Sequence, residues 1–471
     1  MSVGGMIATL IGATTPLQFA DGTVVIQDIL DGMMPQMISL GLTGLMYWLI
    51  KKNVNTGWLL VIASWAASPS PRPASWPSRD QASNRFSPGA CLTSHTPGGL
   101  PSPKCDKGAA PLSHPQRAGD SVQITVTLRA PGNVAPQKLK GMCQMYEIDL
   151  NLPKQIVADV LSNHEIHSVA FVGCGASMSD LYPAKYFLAN NTDKLNVQIF
   201  TANEFNYDTP SWVNEHTFVI TCSLGGSTPE TVEANKTAKK HNCPVVSLTN
   251  KAGSALTVDA DHVIVHGFHA NFAAKCEKPG YAIALALEIL QQTEGYDKYD
   301  DMITGLTNVF DLCENAAQSC KKLAKKFAED FKDDKMIYFM ASGASEKMAY
   351  SHAAFLFTEM QWIDAAAYNT GEYFHGPFEV STEGKPYVFF MSDGATRPMD
   401  ARALTFLERM GAKVALIDSK DYGLADAVPA SVVTYFNPLL HLAVMREYGN
   451  QIAEARQHPL TMRRYMWKLS Y

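Results

Sequence analysis

The chain has 471 residues, enough for two or three domains, and its hydrophobic fraction of 46% supports more than one buried core. A net charge of −6 argues against a nucleic-acid partner, which calls for a basic face. The nine cysteines are scattered, with no CxxC pair and no zinc-type cluster, as in a chain kept reduced in the cytosol.

In chain order the first feature is the apolar run 33–50, MMPQMISLGLTGLMYWLI, followed at once by Lys51 and Lys52. Eighteen residues just suffice to cross a bilayer, with Tyr47, Trp48 and the lysines as interface anchors. Residues 33–66 are therefore the expected membrane contact, a buried core helix being the plain alternative. The run lies too deep for a secretory signal. Between residues 68 and 117 ten prolines forbid any continuous helix or strand, and 67–141 reads as a disordered linker. Inside it the alternating piece 121–128, SVQITVTL, has the pattern of a strand but no evident partner.

From about residue 142 the pattern is regular α/β. Buried-strand runs fall at 167–175, 216–223, 244–249, 261–267, 335–342, 387–392 and 413–419, with helical stretches such as 228–241 and 344–361 between them. Continuous apolar strands alternating with helices predict parallel sheet covered on both faces. The region also repeats itself. FVGCGAS at 171–177 matches FMASGAS at 339–345, and SLGGST at 223–228 faces SDGATR at 392–397, with offsets of 168 and 169. A register kept across two motifs predicts two copies of one α/β unit.

In the first copy, 223–228 closes a strand, frees the backbone with glycine, and opens a helix at Thr228-Pro229, Thr228 being the expected N-cap. Hydroxyls and exposed amides at a helix N-terminus make a phosphate cradle. GCGASMSD at 173–180 repeats the arrangement. Simple capping turns would use the same residues, but two such loops at neighbouring strand ends point to a ligand. No GxxxxGK[ST] pattern follows, so a nucleoside triphosphate is not indicated. Further on, NTGEYFHGPFE at 369–379 brackets His375 between Glu372 and Glu379 in a turn forced by Gly376-Pro377. By itself this is either a solvated surface turn or a titratable loop shaped for a ligand.

At these residues the sequence resembles the sugar isomerase (SIS) family of phosphosugar-binding domains. The double arrangement is similar to the isomerase half of glucosamine-6-phosphate synthase. It is closer to the bacterial deglycases that split phosphorylated sugar–amino acid adducts. The resemblance covers roughly 145–471 and includes YPAK, STPET, LQQTEGY, MQW, GEYFHGPFE and the tail AEARQHPLTMRRYMWKLSY. It implies two tandem three-layer αβα domains with parallel sheets, at 142–300 and 301–455, and a tail at 456–471. It also implies a sugar phosphate held by Ser177, Ser223 and Thr228, with Gly175, Gly226 and Ser227 shaping the loops and Glu372 near the substrate or the histidine. The catalytic pair falls on Glu359 of FTEMQW and His375 of GEYFHG. Gly225 stands where the isomerases often carry a second hydroxyl, which leaves fewer side-chain contacts to phosphate. The family's histidine loop reaches a neighbouring subunit's site, so a homodimer is implied.

The expected reaction is hydrolysis of a 6-phosphorylated sugar–amino acid adduct to hexose 6-phosphate and amino acid, through an enaminol and a Schiff base. Neither metal nor organic cofactor is called for. The alternatives are an aldose–ketose phosphosugar isomerase or a phosphosugar sensor. The transferase needs an N-terminal cysteine glutaminase domain, where this chain has a membrane-like segment, and sensors of the family carry a DNA-binding domain that is not seen here. Residues 1–66 resemble the C-terminal end of a mannose-family phosphotransferase-system IID membrane subunit. The expectation is therefore a fusion of transporter fragment, translated linker and cytoplasmic enzyme.

Overall fold

The computed structural model describes residues 127–129 and 146–470, together with the backbone of 18–19 and 24–25. It divides into two units, residues 1–113 and 114–471. In the first, strands β1 (Gln18–Phe19) and β2 (Val24–Val25) pair antiparallel. The apolar run 33–50 lies outside the described residues. Among the described residues no helix is long and apolar enough to cross a membrane.

The second unit begins with β3 (Thr127–Leu128) and helix α1 (Asn151–Asn163). The first α/β copy then runs β4 (Ser168–Gly173), α2 (Gly175–Ala189), β5 (Asn196–Thr201), α3 (Ala202–Tyr207), β6 (Thr217–Cys222), α4 (Pro229–Lys240), β7 (Val245–Thr249) and β8 (His262–Val265). Helices α5 (Phe272–Thr293), α6 (Tyr299–Ser319) and α7 (Lys321–Phe331) follow. The second copy consists of β9 (Met336–Ala341), α8 (Glu346–Ser351), a π-helix over His352–Glu359, β10 (Asp364–Asn369), β11 (Pro386–Met391), α9 (Arg397–Arg409), β12 (Lys413–Asp418) and α10 (Leu424–Ala427), and α11 (Asn437–Ala455) closes the unit.

Two five-stranded parallel sheets result, in the orders β5-β4-β6-β7-β8 and β10-β9-β11-β12-β3. The predicted duplication is thus present strand for strand over four positions of each sheet. β4, β6 and β7 are buried along their whole length, which is why they read as unbroken apolar runs. Two strands, β5 (NVQIFT) and β10 (DAAAYN), had no such signal. Both are half-exposed edge strands, where polar and small residues satisfy the pleat as well as apolar ones.

The copies are not separate bodies. One hydrophobic cluster runs from Phe171 and Phe187 in the first, through Leu287 and Phe310, to Phe327, Phe339, Phe390 and Tyr448 in the second. Residues 127–128, inside the stretch read as disordered linker, belong to the second sheet. Strands pair through backbone groups, so the proline-rich composition upstream does not prevent a short strand here.

Candidate active site

Both hydroxyl loops leave the carboxyl ends of β4 and β6. These strands are neighbours from which the chain crosses over in opposite directions, and open α/β sheets place ligands at that switch point. Gly175 (φ 58°) and Gly226 (φ 62°) both hold left-handed backbone that disfavours a side chain. A Cβ on Gly226 would lie 1.9 Å from Ser254 Oγ, and one on Gly175 would lie 3.3 Å from the Phe355 ring. The second of these contacts joins the first copy's loop to the π-helix of the second.

Ser177 and Ser223 are buried, Gly226 is buried, Thr228 is half-buried and Ser227 is exposed. The Ser223 and Thr228 hydroxyls share a 2.9 Å hydrogen bond. Thr228 stands at the N-cap of α4 as expected, but its hydroxyl does not cap the helix. It is turned to Ser223, while the Thr228 carbonyl accepts from the Thr231 and Val232 amides. Beneath the loops Lys278 Nζ donates to Ser177 Oγ at 3.4 Å and pairs with Asp180 Oδ2 at 2.7 Å. Lys278 and Asp180 are 3% and 8% exposed. Burial works against the Lys278 charge, yet the Asp180 carboxylate holds its pKa above the usual lysine value. Two serines, a threonine, two helix N-termini and a buried cation are the donor set a phosphate monoester requires.

Glu359 ends the π-helix, a form that recurs at functional sites. The chain then bends through Trp362, held at φ 54°. The Glu359 carboxylate is half-buried and its Oε1 accepts from Arg463 Nη2 at 2.7 Å. Burial raises its pKa above the ordinary glutamate value, while Arg463 and then Arg446 oppose the rise. A cavity of about 310 Å³ opens on Glu359, lined by Trp362, Asp364, Arg463, Arg464 and Tyr465 among others. Its lining holds none of the hydroxyl-loop residues. Phe355 and Arg446 lie between them instead: Arg446, on α11, is half-buried and lies within electrostatic range of both Asp180 and Glu359.

Glu359 and His375, the pair implied by the resemblance, make no direct side-chain contact with each other among the described residues. His375 is exposed, on a turn spanning Tyr373–His375, and its backbone N–H donates to the Glu372 carbonyl at 2.9 Å. Among the described residues no hydrogen bond or ion pair joins its ring to Glu359 or to the Glu372 carboxylate. Phe374 and Phe378 anchor the loop against Phe406. Sequence reasoning missed Asp180, Lys278, Arg446 and Arg463. A lysine inside the apolar helix around 273–290 was the available signal for Lys278, and the paired arginines of MRRY were the signal for Arg463.

The second copy's equivalent loops are filled from within. Ser345, which stands where Ser177 does in the repeat, hydrogen-bonds His441 Nδ1 at 2.9 Å, and His441 Nε2 meets Ser419 Oγ at 2.9 Å. Burial pushes His441 down to about 3, so it stays neutral. Arg397 forks onto Asp418 at 2.8 and 2.7 Å, and Asn437 exchanges two hydrogen bonds with the Asp393 backbone. Among the described residues, it is the first copy that sets a hydroxyl loop beside a buried lysine.

The fold is a double α/β protein with parallel sheets, whose first copy carries the two hydroxyl loops and whose second copy carries Glu359. The SIS domain model matches residues 164–270 and 330–456, and the model of the PTS system mannose/fructose/sorbose family IID component matches residues 1–67. The chain is 36% identical over 322 residues to fructosamine deglycase FrlB of Bacillus subtilis, covering 68% of this chain and 98% of that one. It is 23% identical over 273 residues to fructoselysine 6-phosphate deglycase of Escherichia coli K12, covering 57% and 78%. A Salmonella typhimurium LT2 crystal structure, described provisionally as a phosphosugar isomerase, superposes with a TM-score of 0.67 at 38% identity, over 69% of this chain and all of that one. The chain belongs to the SIS-domain family, and its first 67 residues match the IID component.

Proposed function

We propose that the chain hydrolyses a 6-phosphorylated sugar–amino acid adduct to hexose 6-phosphate and free amino acid. The observation that carries this reading is Glu359: a half-buried carboxylate with a raised pKa, ending a π-helix whose Phe355 faces the phosphate-type loop at Gly175. The similarity to FrlB over nearly its whole length supports the substrate class. In a ketosamine adduct Glu359 takes the proton from C1, giving the enaminol. Return of a proton to C2 gives the Schiff base between C1 and nitrogen. Water then adds at C1, and the amine leaves with a proton. Ser177, Ser223, Thr228 and Lys278 hold the phosphate throughout, and Gly226 and Ser227 shape the loop.

His375 opens the sugar ring or protonates the departing side, and acts on the site of a second subunit in a homodimer. Its exposure, and the lack among the described residues of any hydrogen bond or ion pair from its ring to Glu359, support that arrangement. Residues 1–67 read as a fused transporter fragment, with the catalytic region in the cytoplasm where a phosphorylated adduct is formed. Intact, separate reading frames on resequencing the locus would reject the fusion.

The test is a coupled assay of the full chain on fructoselysine 6-phosphate and glucoselysine 6-phosphate, read as hexose phosphate and free lysine. Release from either, abolished in Glu359→Gln and in His375→Asn, supports the proposal. Binding of phosphosugars with no release from either overturns it in favour of an isomerase or a sensor.

A further inference from the structure

The two copies differ at one edge. In the first, β7 is followed in sequence by β8, which adds the fifth strand. In the second, the chain leaves β12 through a 3₁₀ turn at Ser419–Tyr422 and helix α10. Where the repeat spacing puts the counterpart of β8, it makes another 3₁₀ turn, Val433–Tyr435. The fifth place is taken by β3, which comes from upstream of both SIS-matched stretches.

Three features of that contact go together. The backbone pairs in parallel, Thr127 with Val414 and Leu128 with Ala415. The Leu128 side chain is 6% exposed and joins the main hydrophobic cluster. The next residue, Arg129, forks onto Asp421 through Nε at 2.9 Å and Nη2 at 3.1 Å, and reaches Asp418 Oδ2 at 3.4 Å. Asp418 has a second cation in Arg397, but among the described residues Arg129 is the partner that the 4%-exposed Asp421 has. A buried carboxylate without a cation is costly, and an open sheet edge is a template for any passing strand. Backbone pairing supplies adhesion, while an apolar pocket and a charged fork supply selectivity, as in strand-addition recognition.

We propose that the outer edge of β12, with Asp418 at its end and Asp421 in the turn after it, is a strand-docking site for an extended segment carrying an apolar residue followed by arginine. This chain fills the site in cis with residues 127–129. Residues 127–129 are thereby fastened to the second sheet by a specific contact, independently of which adduct the enzyme takes.

The test uses the full chain and its Leu128→Asp/Arg129→Glu double variant, with hydrogen exchange read over Lys413–Asp418 and a labelled peptide of residues 121–132 as probe. The wild-type edge is expected to be protected and to ignore the peptide. The variant's edge amides are expected to exchange roughly tenfold faster or more. The variant is also expected to bind the peptide in trans, and to refuse a peptide with Arg129→Glu. Equal exchange in both chains, or no peptide uptake by the variant, overturns the proposal. If exchange rises over the first sheet as well, the charge-reversed pair Arg129→Glu with Asp421→Arg decides. Regained protection of β12 supports the site, and continued loss overturns it.

Discussion

Glu359 is asked to be a base while half-buried, and its neighbours set how well it can be one. Burial favours the neutral acid, and Arg463 at 2.7 Å and Arg446 favour the carboxylate. The net rise means that the base form is lost, as pH falls, at a higher pH than for an ordinary glutamate. The acid limb of kcat/KM should therefore lie above the usual carboxylate range. In Arg463→Gln burial is less opposed, so that limb should move further up in pH, with kcat at alkaline pH changed less than at acid pH. A limb that stays in place would remove Glu359 as the titrating base. Glu359→Gln should lower kcat by ~10²–10⁴-fold, the usual worth of a general base, with phosphosugar binding retained by calorimetry. The buried pair Lys278–Asp180 makes a separate prediction. Asp180→Asn strands an ammonium that is 3% exposed, which costs about 3–5 kcal/mol. The chemical-denaturation midpoint should fall accordingly, and phosphate affinity should fall with it as Ser177 loses its oriented donor.

At the scale of elements, the loop 223–228 depends on one backbone angle. Gly226 sits at φ 62° with Ser254 where a Cβ would go. Left-handed backbone costs an L-residue about 1–2 kcal/mol before any clash. Gly226→Ala should lower the melting temperature and raise KM for the phosphorylated substrate more than it changes kcat. Adding Ser254→Gly should recover part of the KM loss by vacating the space. If KM is unmoved in Gly226→Ala, the loop is not the phosphate cradle. Most strands legible in the sequence are buried on both faces, since continuous apolar runs such as FVITC have one structural meaning in an α/β chain; the edge strand β8 was legible through its apolar run HVIV. β5 and β10, at sheet edges, carry polar and small residues and gave no such signal. The π-helix at His352–Glu359 was also illegible. Its apolar run reads equally well as α-helix, and the extra residue per turn is imposed by packing, with Leu356 against Gly449 and Phe355 against Gly175.

Across the whole molecule, duplication has been followed by division of labour. The first copy keeps hydroxyl loops over a buried lysine. The second fills its own loops with His441, Arg397 and Asn437, and supplies instead the π-helix that carries Glu359 and the loop that carries His375. On the proposed reading the first copy's loops hold the phosphate and the exposed His375 serves the site of a second subunit. Mixing Glu359→Gln with His375→Asn chains should then restore activity that neither possesses, because a mixed dimer retains one intact site. A mixture as inactive as its components, in a preparation shown by mass spectrometry to contain mixed dimers, would place both groups in the same subunit's site.

Periodicity and repeat spacing were enough to establish the α/β class, the duplication, the hydroxyl loops and their glycines, because each is a local pattern whose cause is local: burial on two faces, a strand-to-helix turn, a left-handed backbone. The resemblance to a family pointed to Glu359 and His375 without saying where they lie. Which copy sets its hydroxyl loops beside a buried lysine, which cations surround Glu359, and that residues 127–128 complete the second sheet were decided only by the tertiary structure. Lys278 lies 101 residues from Ser177, Arg463 lies 104 from Glu359, and Arg129 lies 292 from Asp421. No local pattern reports contacts of that separation, since they exist only once two sheets and their shared helices have closed on a common core.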